Sequence, residues 1–430
     1  MYLAESRTSS GDRAAGQGRG PGRRAAVPGA VLALGSVSLI TDVSSEMVSA
    51  VLPLYFVSEL ALSPLGFGLL DGIYNGVTAL VRIIGGRLSD RRGGRHKSVA
   101  FFGYGLSALC KPLLLLVHNV PLIGAVLAAD RTGKGLRTAP RDAMISMASE
   151  PATRARMFGV HRAMDTAGAL CGPLVAFLIL QAAADGYDAV FSVSSCVAVL
   201  GVVVLLLFVP GHKSTSDTAP APATGPGEAR SAFRSLLRRA EVRRLTGCAL
   251  LLGLTTVSDS FLFLTLQRRW QLPEAWFPLL PLGTAAVFLL LAVPFGSIAD
   301  RIGRRRLFLC GHLALLAAYT LLLIPPGGSV AFAVPVLALH GAFYAATDGV
   351  LSAATADAVP EQLRASGLAV VQTGQATARF VCSIAFGAAW TGWGDHTALL
   401  VAAVGLAVSA ALSARLLRRR APATEGEPVR

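Results

Sequence analysis

Asp42 and Glu46 stand four residues apart in an otherwise apolar stretch, with Ser44 and Ser45 between them. On a helix the two acids share one polar face. Asp259, flanked by Ser258 and Ser260, occupies a comparable place half a chain later. Asp130, Lys134, Arg137 and Arg141 are spaced four, three and four residues apart, a single helical stripe, with Arg131 beside its first member. His161 and Asp165 again share a face, so the carboxylate can tune the imidazole. His340 precedes Tyr344 by one helical turn, with Asp348 beyond, and Gln372, Gln375 and Arg379 make a further polar stripe. Asp71 and Arg82 punctuate another apolar run. A charge at mid-bilayer depth costs roughly 3 kcal/mol even on lenient scales, so each must line a cavity or find a partner. The chemistry available is reversible binding of a proton or cation and capture of a polar solute. The candidates are Asp42, Glu46, Asp130, Arg131, Lys134, Asp259, His340, Gln372, Gln375 and Arg379. The competing reading is ion pairing that only holds helices together, and for the group around His161 that reading is at least as good.

The elements that must position these residues follow from composition. The chain has 430 residues, 53% hydrophobic and 15% charged, against about 25% charged in soluble domains. Apolar runs long enough to span a bilayer, about 20 residues each, number twelve: 30–58, 66–86, 97–117, 120–148, 157–181, 188–209, 245–267, 275–299, 306–325, 329–358, 365–390 and 396–417. The expected organisation is a disordered basic tail at 1–26, a six-helix half at 27–210, a linker at 211–244, a second half at 245–418 and a tail at 419–430. The linker opens Pro-, Ala- and Thr-rich, and 231–244 sets Phe233, Leu236, Leu237 and Val242 against arginines, as a surface-lying amphipathic helix would.

The net charge of +14 is not that of a nucleic-acid binder, because the basic residues cluster in the tails and in alternate short loops. That distribution places both termini in the cytoplasm; Arg268 and Arg269 are the exception on the other side. Lys111 reads as a structural lysine snorkelling outward. The six cysteines lie in apolar runs without metal-ligand spacing, so neither a disulfide nor a metal site is expected, and no cofactor motif stands out.

Two short basic loops echo each other: Gly86-Arg87-Leu88-Ser89-Asp90-Arg91-Arg92-Gly93-Gly94-Arg95, and Gly296-Ser297-Ile298-Ala299-Asp300-Arg301-Ile302-Gly303-Arg304-Arg305-Arg306. Their recurrence between paired spans says that the chain is two related halves. Both segments resemble the loop 2–3 signature of the major facilitator superfamily of secondary transporters, Gly-x-Leu-x-Asp-Arg-x-Gly-Arg-Arg, over roughly residues 30–418. The resemblance implies gating roles for Gly86, Asp90, Arg91, Gly296, Asp300, Arg301 and Arg304, with the aspartates latching the cytoplasmic side. Arg131 and Gly135 resemble the family's helix-4 signature, in which the arginine is linked to proton coupling; Lys134 stands where glutamine is usual. Gly159, Gly168, Gly172 and Pro173 stand at the spacing of the antiporter signature of helix 5, although its terminal glycine pair is replaced by Ala176 and Phe177. The segments around Asp42, Asp130 and His161 also look like bacterial efflux-type permeases.

The expectation is an all-α membrane protein of twelve helices in two pseudo-symmetric halves, sitting in the bacterial plasma membrane and working as a monomer by alternating access. Its partners would be a small solute, protons and the bilayer. Export by proton antiport is the leading reading. Import uses the same residues, and a non-transporting sensor would need no midplane charges. Enzymatic activity is not expected, since no nucleotide loop or nucleophile set stands outside the charge network.

Overall fold

In hydrocarbon every backbone N–H and C=O must be satisfied within the protein, which leaves helices or closed barrels. A computed structural model describes residues 27–91, 96–150, 154–183, 186–209, 238–324, 333–347, 350–359 and 364–418. Within these ranges the side chains at 78–80, 82–91, 154–156, 300, 352–353, 356–357, 364–366, 369 and 418 lie outside the description. The regular elements described are all helical. The first half comprises α1 (Gly29–Ser58), α2 (Pro64–Arg91), α3 (His96–Leu116), α4 (Val120–Met147), α5 (Arg154–Ala182) and α6 (Gly186–Phe208). The second comprises α7 (Ala240–Gly253), α8 (Asp259–Trp270), a 3-10 turn (Glu274–Trp276), α9 (Leu279–Ile302), α10 (Arg304–Leu323), α11 (Ala333–Thr347), α12 (Val350–Asp357) and α13 (Arg364–Arg418). Gly394, at φ +83°, bends α13 into limbs 364–393 and 395–418.

Among the described residues, seven helices are long and apolar enough to cross a membrane, α13 carrying two crossings. α4 carries too many charges to look apolar, and the seventh crossing is split between α7 and α8. The split of the seventh crossing corrects the continuous span expected at 245–267. Residues 240–244, expected as the end of a surface helix, run directly into α7 with Val242 buried; the rest of that expected helix lies outside the described residues. Large side chains such as Leu109, Leu116, Leu207 and Leu290 are exposed, the inverse of a soluble protein and the sign of a lipid-facing surface.

Glycines set the close crossings. Gly103 of α3 and Gly133 of α4 face each other: a Cβ on Gly103 would lie 2.8 Å from the Gly133 carbonyl oxygen. Gly168 and Gly172 let α5 rest against the α1 backbone, where a Cβ on Gly172 would stand 2.9 Å from Met47 N. Small residues at such crossings replace the hydrophobic drive that lipid cannot supply.

The halves meet most extensively where α2 lies along the first limb of α13. Gly72 and Gly76 accommodate Phe380, and Gly387 packs on the Pro64 carbonyl. Leu65 N donates to Thr391 Oγ1 at 3.1 Å. Phe261 of α8 stacks edge-on with Phe67 (4.7 Å) and Phe386 (4.9 Å), with Trp390 at 5.6 Å. This seam closes the end of the bundle at which α1 turns into α2. Arg268 and Arg269, the basic exceptions in the sequence, lie at the end of α8: Arg268 sits over Trp390, and Arg269 pairs with Asp395 at 3.6 Å and donates to the Leu322 carbonyl.

A cavity between the halves and the charges around it

Between the halves lies a cavity of about 480 Å³. Its lining draws on α1, α2, α4 and α5 from the first half and on α8, α9, α11 and α13 from the second.

On the second-half side, the break in the seventh crossing does the positioning. α7 ends at Gly253, and α8 begins at Asp259 with Ser258 as its N-cap residue. The non-helical peptide groups between them need partners, and Tyr319 of α10, fully buried, supplies one: its hydroxyl accepts from Val257 N at 2.8 Å. Unwound backbone at membrane depth is tolerated where it is buried in protein or lines a cavity, and Thr256 to Ser260 line this one. Asp259 therefore sits at a helix N-terminus, where the peptide dipoles favour a negative charge. Tyr344 Oη donates to its carboxylate, 2.7 Å from each oxygen, and His340 Nε2 lies 3.2 Å from Oδ1. The other imidazole nitrogen of His340 is 3.3 Å from Thr284 Oγ1, which fixes the ring between α9 and α8. Gln372, Gln375 and Arg379 of α13 also line the cavity.

On the first-half side, α4 carries a ladder of acid–base pairs. The Gly103–Gly133 crossing brings Ser107 and Lys111 of α3 onto Asp130. Lys111 Nζ is 3.2 Å from Oδ1, Ser107 donates to the same oxygen, and Arg131 holds Oδ2 at 2.6 Å. The Arg131 guanidinium lies 3.9 Å from the centre of the Tyr74 ring. One turn on, Lys134 pairs with Glu46 at 3.1 Å, and Ser49 donates to the other oxygen of Glu46 at 2.7 Å. Next, Arg137 pairs with Asp42 at 3.2 Å and rests over Tyr104. Last, Arg141 reaches Asp165 (3.4 Å), Asp142 (3.1 Å) and Ser38 (3.1 Å), whose hydroxyl is 3.0 Å from His161 Nε2. The interior stripe expected on α4 is thus present, facing α1, α3 and α5.

Several expectations change in detail. Lys111, expected to snorkel, is 2% exposed and bound to Asp130, because two glycines let α3 and α4 approach. Asp42, expected to work with Glu46 or Arg131, lies behind the cavity wall with Arg137 as its partner, while Glu46 and Arg131 line the wall itself. Of the helix-5 glycines, Gly168 and Gly172 make the α1 contact, whereas nothing among the described residues approaches the Cβ position of Gly159; Pro173 borders the cavity. At the expected gates, Gly86 lies within α2, but the side chains of Asp90, Arg91 and Asp300 fall outside the described residues, as does Asp348. A Cβ on Gly296 would meet nothing within 4 Å among the described residues. Gly303, at φ +94°, is the single residue turning α9 into α10. Arg301 is exposed and Arg304 half-buried beside it.

The sequence marked Asp71 only as a charge within an apolar run, outside the candidate site, and did not mark Ser383; the two meet across the seam, where Ser383 Oγ donates to Asp71 Oδ2 at 2.7 Å. The Ser-Asp-Ser triplet at 258–260 carried a helix-start signal, a capping residue followed by an acid, that pointed to the break. Among the described residues no three His, Cys, Asp or Glu side chains converge as a metal site.

The profile of the Major Facilitator Superfamily matches residues 34–292 and 275–430. The chain belongs to this superfamily. An MFS-type transporter of Methanocaldococcus jannaschii is 27% identical over 84% of the chain and 88% of its own length. A Mycobacterium tuberculosis protein is 26% identical over 84% and 86%. The multidrug resistance protein MdtH of Photorhabdus laumondii is 27% identical over 43% of this chain and 44% of its own. Among solved structures, the nucleoside transporter NupG superposes with a TM-score of 0.75 at 12% identity, covering 91% of this chain and all of its own. A bacterial homologue of the lysosomal transporter Spinster gives 0.73 at 16%, covering 92% and 98%. As a superfamily member, the chain is a multi-pass membrane transporter with two halves flanking a central cavity, and it moves a small solute.

Proposed function

We propose that this chain is a proton-coupled exporter of the bacterial plasma membrane, with both termini in the cytoplasm. The observation that carries the reading is the ladder on α4. It forms a chain of paired acids from Asp165 near one end of the bundle, through Asp42 and Glu46, to Asp130, whose partner Arg131 lines the cavity. Buried ion pairs rarely repay their desolvation in stability, so a row of four is better explained by exchange of partners during a cycle. In that cycle Asp42 or Glu46 takes a proton, releases its α4 cation and lets α4 shift against α1. Asp90 and Asp300 with their arginines latch the cytoplasmic side when the cavity faces outward. The basic loops support a cytoplasmic location for the ladder end. The closed seam at the α1–α2 turn then makes the present conformation one whose outer side is shut. Export is favoured by the Gly168 and Gly172 contact with α1 and by the name of MdtH.

The test is accumulation of organic cations, hydrophobic antibiotics and divalent metals in an efflux-deficient host, with and without a protonophore. Lower accumulation that the protonophore reverses is expected. Higher accumulation of any compound overturns export in favour of import.

A further inference from the structure

We propose that the central cavity selects an ammonium-bearing organic cation, with the Asp71 carboxylate as its anchor and Asp259 as the second acid. This rests on the reading of the cavity as a transport site and adds the class of solute.

The acids of the α4 ladder are all matched to a lysine or arginine. Asp71 is not. It is 5% exposed; Oδ2 accepts from Ser383 at 2.7 Å, and Oδ1 from the Asn75 amide at 3.3 Å. Among the described residues it has no ion-pair partner. A carboxylate held from water at membrane depth without a cation is costly, and a site of that kind is relieved when a cation arrives. The cavity it borders gives that cation a place.

The charged lining agrees. The charged lining residues are Glu46, Asp71, Asp259, Arg131 and Arg379. Glu46 and Arg131 are already matched, to Lys134 and Asp130. Asp71 and Asp259 remain, two lining carboxylates outside the pairs of the ladder. Asp259 is held by a phenol hydroxyl and an imidazole, and its side chain remains 45% exposed.

The walls agree as well. Tyr74, Phe263, Phe277 and Tyr344 line the same space, and aromatic faces attract ammonium groups, most strongly when desolvated. Tyr74 and Ser258 add hydroxyls to that lining, each able to accept from an N–H or hydroxyl of the guest. A cavity of about 480 Å³ is in the range for a small organic molecule. The pairing of Asp71 with Ser383 across the seam also means that a cation on Asp71 competes with a contact between the halves, which couples occupancy to opening of that end.

The experiment is titration calorimetry on the purified full chain with tetramethylammonium, choline and putrescine. The controls are 3,3-dimethyl-1-butanol, an uncharged isostere of choline, and succinate. At least one cation should bind saturably and no less than ten-fold more tightly than the isostere or the anion. Asp71→Asn should weaken it ten-fold or more, Ser383→Ala a few-fold, and Asp188→Asn, an exposed acid at the start of α6, not at all. Ser383→Ala reads the same site if Asp71→Asn does not yield monodisperse protein. Binding of none of the cations, equal binding of the isostere, or undiminished binding to a folded Asp71→Asn variant overturns the proposal. Export of an uncharged or anionic solute by cells, with no cation bound by the protein, removes this inference and leaves the transport reading standing.

Discussion

At the scale of single residues, the ladder on α4 separates groups that hold helices from groups that can work. Asp130 is clamped by Lys111, Arg131 and Ser107 with almost no solvent access, which suits a fixed strut. Removing one partner of a buried ion pair strands the other, typically at about 3–5 kcal/mol. Lys111→Met should therefore lower the thermal midpoint of the purified protein by several degrees; an unchanged midpoint would make the pair dispensable. Asp42 and Glu46 have single basic partners, so protonation can release them. Asp42→Asn keeps the shape and removes the charge. It should abolish protonophore-sensitive transport while the protein still inserts and purifies as a monodisperse species, and full activity in that variant would remove Asp42 from the coupling role. The charged residues themselves were legible in the sequence, since each interrupts an apolar run. Their pairings were not. Lys111 meets Asp130 only because Gly103 and Gly133 let α3 and α4 nearly touch, a fact of tertiary packing that no spacing along one helix encodes.

At the scale of elements, two devices shape the site. One is the broken seventh crossing, whose loose backbone Tyr319 secures. Tyr319→Phe leaves Val257 N without that acceptor, at a cost of about 1–3 kcal/mol. The expected result is a lower melting temperature together with weaker solute binding, since Thr256 to Ser260 line the cavity; wild-type values for both would show that the hydroxyl does not hold the break. The other is the seating of α5 on α1. A leucine at Gly172 would drive into Glu46 and Met47, so Gly172→Leu should bring accumulation back to the level of a host without the transporter. Gly159→Leu, in open space, should not. The twelve crossings could be read from hydropathy because lipid imposes length and polarity on each. The break escaped because apolar residues on both sides make one continuous run, and only the capping pair Ser258 and Asp259 marked it.

At the scale of the whole molecule, the repeated Gly-x-x-x-Asp-Arg loops announced two halves, and the superfamily's fold provides them. What the sequence could not convey is where the halves touch. They touch along α2 and the first limb of α13, glycine against backbone, with an aromatic cluster at one end. Alternating access requires this seam to part in every cycle, and the most direct test is to prevent it. The Leu65 backbone N–H meets the Thr391 hydroxyl across the seam. In a background with the six native cysteines replaced by alanine, Leu65→Cys with Thr391→Cys should form a disulfide on mild oxidation. Transport in proteoliposomes should stop on oxidation and return with a reductant, while each single variant stays active under both conditions. Undiminished transport by fully cross-linked protein would contradict a mechanism in which this seam opens.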